Sequence, residues 1–448
     1  MSKSLLLFLV TFTIQTNKAF SQVENIFENT FYTDSTFTTL CNGEFFWQYE
    51  NGQIGEKANY VNGKVSGEYY LYNEDGKVNY KANYINGELD GESTWYYENG
   101  LIHFKSIYHH GQLNGESVYY DLTGKLELTE NYKNNLLEGV STGYYSNGQI
   151  REKKQYKNGL LEGESIVYHK NGQIGNISHY VNDEPNGECI SYYDNGQIQN
   201  KTNYTQDQVQ GESIWYYETG EISSKVNYIN GKANGEFISY HKNGKIESRG
   251  QNKTGQLSGE WNYYDQNGKL TMVKNFTNGM QNGPETKYYS NGKLKERKEY
   301  INGEIKGKVE LYYDNGRLYE AYQYVDNLKQ DTLYRFSPKG KVVFKECYNK
   351  GIRQGKAIWF YKNGAVFFSL NYVNNLRQGD FISYFKNGVV SSKGHYSNDE
   401  IQGDFYRYHK NGKPAYKIFF QKGVPNEKIE EYNENGELIT TPVDLNCK

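Results

Sequence analysis

Aromatic and aliphatic residues return along this chain at a fixed interval of 24 residues. With Gly43 taken as position 1, glycine recurs at 67, 91, 115, 139, 163, 187, 211, 235, 259, 283, 307, 355, 379 and 403; only Asp331 and Glu427 break the series. Position 10 is glycine in all seventeen copies, the last of them truncated. Position 6 is aromatic in sixteen, as at Tyr96, Tyr192, Tyr312 and Phe360. Position 12 is Ile, Leu or Val in all but one, where Pro414 stands. Position 18 is aromatic in fifteen of sixteen, Asn252 being the departure. Apolar residues at alternate places bounded by Asn-Gly read as strands joined by tight turns. Positions 2–7 then form one strand and positions 11–18 the returning one. A second turn, often Asn-Gly again (Asn62-Gly63, Asn86-Gly87), leads to the next copy. An even period keeps each strand's face constant from copy to copy.

The predicted fold is all-β: an elongated antiparallel β-meander or solenoid of about seventeen 24-residue β-hairpin repeats. At about 4.8 Å between strands, each unit advances it by about 10 Å. The array spans residues 43–438, with 22–42 as an N-terminal cap and 439–448 as a tail.

The structural turn glycines are Gly52, Gly76, Gly100, Gly148, Gly196, Gly244, Gly292 and Gly340. Pro338 before the turn, and Thr123, Thr219 and Lys339 at position 9, argue for a three-residue loop with positive φ at the glycine alone. That loop pairs position 6 with 12 and 4 with 14, so all even positions share one apolar face. The five tryptophans then fall on the other face: Trp47, Trp95, Trp215 and Trp359 at position 5, and Trp261 at position 3. Among Lys, Gln, Ser and Glu neighbours they are candidate partner contacts, or shields for cross-strand neighbours.

Composition supports a thin, Tyr-rich core. Only 36% of residues are hydrophobic, and 46 are Tyr; Gly is high at 47 and Pro low at 6. Net charge is −3 with no basic stripe, which excludes an electrostatic nucleic-acid binder. Residues 1–21 have the charged, apolar and small-residue order of a signal peptide, Lys3 preceding Leu5–Ile14 and Ala19-Phe20-Ser21. The mature chain is expected to be exported, periplasmic or secreted, with no transmembrane segment. Cys41, Cys189, Cys347 and Cys447 lie too far apart in an extended array to pair within it.

No catalytic or cofactor-binding constellation is found, and none is expected. His109-His110 suggests a metal pair, but adjacent strand residues point to opposite faces, so no metal site is expected. Glu at position 2 (Glu44, Glu68, Glu92) recurs with Lys or Arg at position 15 (Lys57, Lys81, Arg249). This is a solvated, edge-blunting charge pattern or a recognition ladder.

The G-E-x-x-x-Y-Y-x-N-G-x-I core with a following Y-x-N-G resembles the bacterial variant of the MORN repeat. That resemblance implies a long twisted antiparallel array. It also implies a scaffold or protein-binding module, sometimes linked with membrane surfaces; some bacterial members are labelled antitoxins. The expected function is therefore a non-enzymatic exported scaffold that binds a protein partner, a cell-envelope surface being the other contact it allows. The alternatives are a carbohydrate or cell-wall binding repeat protein, and an antitoxin or immunity protein that neutralises a toxin.

Overall fold

The structure is a computed structural model and describes residues 40–440, together with the two-residue strands Glu24–Asn25 and Thr30–Phe31, which pair with each other. The expected signal peptide, Cys447 and the tail beyond residue 440 lie outside the described residues. The chain divides into two compact units. One runs to Ile198 and includes Tyr204–Asp207; the other holds Gln199–Asn203 and everything from Gln208. Both are built from the same all-β antiparallel meander.

In the first repeat, strand Gly43–Gln48 turns back through Ile54–Val61, and Lys64–Val65 opens the strand that continues as Gly67–Tyr72. At position 10 the turn is the three-residue form. Gly52 N–H donates to Tyr49 O at 2.9 Å, and Tyr49 N–H to Gln53 O at 2.8 Å. Gly52, Gly76, Gly100, Gly148, Gly196, Gly244, Gly292 and Gly340 all have φ between +78° and +85°, while Asn51 and Asn99 before them do not take positive φ. The second turn is a two-residue type I′ turn: Asn62 and Gly63 have φ of +51° and +76°, and Val61 pairs with Lys64.

The register beyond the first turn departs from the expectation. Gln48 pairs with Ile54 and Tyr96 with Ile102, so positions 6 and 12 do meet. The return strand then carries one extra residue at position 13. Trp47 pairs with Glu56, Phe46 with Lys57, Phe45 with Ala58 and Gly43 with Tyr60. This bulge sends positions 14, 16 and 18 to the face of positions 3 and 5. Positions 2, 4, 6, 12, 15 and 17 share the other face. The expected single apolar face of even positions is therefore wrong past position 12, and so is the placement of the tryptophans opposite it.

The packed face is laid out in rows that cross the strands. Each position 16 lies between two position 3 residues, as Ser106 lies between Ser93 and Ser117. In several repeats a large residue faces a small one along this row. Phe45 pairs with Ala58, Tyr69 with Ala82, Phe237 with Gly250 and Phe381 with Gly394. Leu333, Phe344, Ala357, Leu370 and Phe381 form the largest apolar cluster. Cys41, Ala58 and Tyr60 form a smaller one at the N-terminal end. Cys41, Cys189 and Cys347 are free thiols.

Side chains clasp each repeat to the next. Tyr at position 7 donates to the position 6 carbonyl one repeat on: Tyr49 to Tyr72 at 2.8 Å, Tyr97 to Tyr120 at 2.7 Å, Tyr217 to Tyr240 at 2.6 Å. His169, His241 and His409 replace it with Nε2 2.9–3.0 Å from the same carbonyl. Asn51 shows why position 9 is so often asparagine. Its Nδ2 donates to Glu74 O at 2.8 Å and its Oδ1 accepts Gln53 N–H at 2.9 Å. Position 24 accepts the N–H of the type I′ turn that follows, as Asn42 does from Asn62 and Glu162 from Asn182. Each such bond contributes about 1 kcal/mol net.

Position 1 lies at a second bulge and takes positive φ, for example +100° at Gly43 and +79° at Gly403. Asp331 holds the same place at φ +62° and still pairs with Tyr348. The left-handed region disfavours a residue with a Cβ. Asp331→Gly should therefore stabilise its repeat by about 1 kcal/mol. Hydrogen exchange at the amides of Thr332–Phe336 should slow about fivefold; unchanged or faster exchange would refute the strain.

Candidate binding surface

The five tryptophans belong to the packed face. Trp261 is 6% exposed, with its ring over Gly250, stacked on Phe237 at 5.4 Å, and its Nε1 donating to Gln251 O at 3.2 Å. The other four are half-buried. Trp95 lies against Tyr80 and Phe104 at 4.4 and 6.1 Å, and Trp359 against Phe344 and Phe368 at 4.8 and 5.3 Å. Trp47 lies over Gly55 and donates to Glu56 at 3.0 Å. Trp215 and Trp261 come together around a shallow hollow of about 480 Å³, with Val226, Phe237 and Leu257. The hollow exists because Ser224 and Ala233 are too small to fill it.

Charge enters the packed face in several repeats, as at Glu56, Glu152, Glu320 and Glu346, and is densest in one. Glu285, Lys287, Glu296 and Lys298 hold positions 3, 5, 14 and 16, where other repeats place Phe, Trp or Ala. Lys287 Nζ lies 3.5 Å from Glu285 and 2.9 Å from Glu296, and Lys298 Nζ 2.8 Å from Glu296. Gln281 donates to Glu285 at 2.7 Å. Burial pushes the Glu296 carboxyl up, but the two lysines outweigh it and hold it below its ordinary range. Four charges at packed positions are tolerated because each has a partner.

The opposite face carries the charge ladder. Lys57 pairs with Glu44 at 2.9 Å, Lys81 with Glu68 at 3.1 Å and Lys105 with Glu92 at 3.1 Å; Arg249 pairs with Glu236. Tyr70 and Tyr72 stack beside it, and Lys81 lies over the Tyr70 ring. These pairs are largely exposed and contribute little stability.

Along the same face, positions 19 and 22 flank the type I′ turns. Over five consecutive repeats they place aliphatic side chains in water: Met280, Ile301, Val325, Leu328, Ile352, Val373 and Leu376, from 51% to 37% exposed. In other repeats Lys, Gln, Glu or Thr occupy these positions more often than an aliphatic residue does. The sequence signal was available, but it is a run across repeats rather than along one strand.

The family model for the MORN repeat variant matches fourteen segments between residues 42 and 422, from 42–62 and 66–86 to 377–398 and 401–422. This chain belongs to the MORN repeat variant family. Residues 303–352 fall outside the matched segments, yet form the same strands, including Gly307–Tyr312, Leu318–Val325 and Val342–Asn349. No curated protein matches the chain. Among solved structures, the chain is similar at 10% identity and a TM-score of 0.14 to a crystal structure of TcdB2-TccC3-Cdc42, covering 87% of this chain and 27% of that one. A Photorhabdus luminescens Tc holotoxin pore structure is similar at 11% identity and a TM-score of 0.13, covering 92% and 25%. The chain spans about a quarter of the length of these chains.

Proposed function

We propose that this chain is a non-enzymatic, exported repeat scaffold that binds a protein partner along the face bearing its type I′ turns. The observation that carries this reading is the row of exposed aliphatic side chains from Met280 to Leu376. Scattered exposed aliphatics are ordinary, but at least one at every turn over five repeats makes an apolar row, interrupted by Thr277, Glu304 and Asn349, that water solvates poorly. These side chains are not needed for the packed face, so the fold alone does not account for them. Repetition offers many equivalent contacts at about 10 Å spacing, which suits a long partner better than a small ligand.

The test is capture of a partner from the envelope fraction of the source cells by immobilised protein. Val325→Glu with Leu328→Glu should leave the circular dichroism unchanged and lower capture about tenfold or more, since charge at the centre of an interface is costly. The same change at polar Gln112, on another repeat, should leave capture intact. Undiminished capture by the double variant would sink the assignment of this row.

A further inference from the structure

Positions 19, 20, 22 and 24 come together at every type I′ turn, but one turn carries a different chemistry. There, position 19 is His109 and position 20 is His110, beside Glu88 and Asp90 of the preceding strand end. Elsewhere position 20 is usually asparagine, as at Asn62, Asn86, Asn158, Asn182 and Asn230. Asparagine tolerates the left-handed backbone well, so the turn itself does not call for histidine. Both His109 and His110 depart from the repeat's usual residues in the same turn, next to two carboxylates.

Alternation along a strand would point the two imidazoles apart. It fails here because strand Ile102–His109 ends at His109, and His110 has φ +49°. The rings lie on the same side, with centroids 4.2 Å apart. His109 Nδ1 is 3.2 Å from Asp90 Oδ2, and His110 Nδ1 is 3.8 Å from the same oxygen. Glu88 Oε2 is 4.0 Å from His110 Nδ1. The ligand atoms of Asp90, His109 and His110 all fall within 4.8 Å of one another. Asp90 is already oriented, because its Oδ2 accepts His110 N–H at 3.1 Å.

We propose that Asp90, His109 and His110, with Glu88 as a fourth donor, form a surface site for a divalent transition metal of the Zn²⁺ type. Tetrahedral bonds of about 2.0–2.1 Å set donor atoms about 3.3 Å apart. The Asp90 spacings of 3.2 and 3.8 Å need only small side-chain rotations to reach that, while Glu88, 4.0 Å from His110 and outside the tight group, must swing in to complete the set. Two imidazoles with carboxylate favour Zn²⁺, Ni²⁺ or Cu²⁺ over Ca²⁺ and Mg²⁺, which take oxygen donors. The imidazoles are 61% and 71% exposed, so the metal can be reached from solvent.

The experiment is titration calorimetry of the full chain with Zn²⁺, repeated with Mg²⁺ and Ca²⁺, plus visible absorption with Co²⁺. One Zn²⁺ site and a tetrahedral Co²⁺ spectrum are expected. His110→Asn and His109→Val, each restoring a residue that other repeats use, should weaken Zn²⁺ about tenfold or more while preserving the circular dichroism. His179→Asn, on another repeat, should change nothing. Three results would overturn the site: no Zn²⁺ binding, binding unchanged in both histidine variants, or Mg²⁺ and Ca²⁺ binding as tightly as Zn²⁺.

Discussion

Gly250→Ala is expected to destabilise the protein by about 3 kcal/mol, far more than a methyl group normally costs in a strand. The reason is not backbone freedom, since Gly250 does not take positive φ. A Cβ at Gly250 would lie 2.1 Å from Cδ2 of Trp261. The ring cannot step aside easily. It stacks on Phe237, meets Phe276 edge-on at 6.3 Å and is anchored through Nε1 to Gln251 O. Urea denaturation should report the loss. Trp261→Ala alone should cost about 3–5 kcal/mol, and adding Gly250→Ala to it should cost little more. Equal costs of Gly250→Ala in the two backgrounds would show that the ring is not the cause. Gly394 repeats the arrangement between Phe381 and Phe405, whose rings stack at 6.2 Å. Its Cβ would meet Phe381 Cζ at 2.7 Å, so Gly394→Ala should be the milder of the two.

Deleting residues 211–234, one whole repeat, should leave a folded protein with a modestly lower melting temperature. Position 24 (Gln210) would be followed by position 1 (Gly235), and every row and clasp would find its counterpart one repeat along. Deleting only 211–222 should abolish cooperative melting of the surrounding repeats. It removes strand Gly211–Tyr216 and its turn, so Gln210 runs straight into Ser223 and positions 14, 16 and 18 fall where positions 2, 4 and 6 stood. The packed side chains of that strand would then point to the charged face, and its rows and clasps would have no counterparts in the copies on either side. Comparable melting curves for the two deletions would refute the repeat boundaries.

Much of this architecture was legible in the chain. The 24-residue period, the hairpins, the three-residue loop and the left-handed glycines at position 10 all follow from spacing and turn chemistry. The bulge at position 13 was not. Aliphatic position 12 and aromatic position 18 read as one unbroken alternation, and a single extra residue reverses every later side chain. That reversal moved the tryptophans to the packed face. Gly250 and Gly394 held the clue: they stand outside positions 1, 10 and 21, where turns require glycine, and so mark places where a ring lies on the backbone. The expected placement of His109 and His110 on opposite faces fails for a related reason. Strand alternation stops at His109, and His110 already belongs to the turn.

The clasps between repeats also give the array a direction in time. Tyr49, Asn51 and Lys77 donate to carbonyls of the copy that follows them, and Asn42 accepts from the turn that follows it. A ribosome adding about 5–20 residues per second delivers a new copy every one to five seconds. A hairpin closes in about 1–10 μs. Each copy can therefore settle long before the next emerges, and its hydroxyls and amides wait, already oriented, for the incoming backbone. Growth of the sheet is vectorial: the finished edge serves as the template on which the nascent chain condenses, so a long all-β chain need never hold many unpaired strands at once.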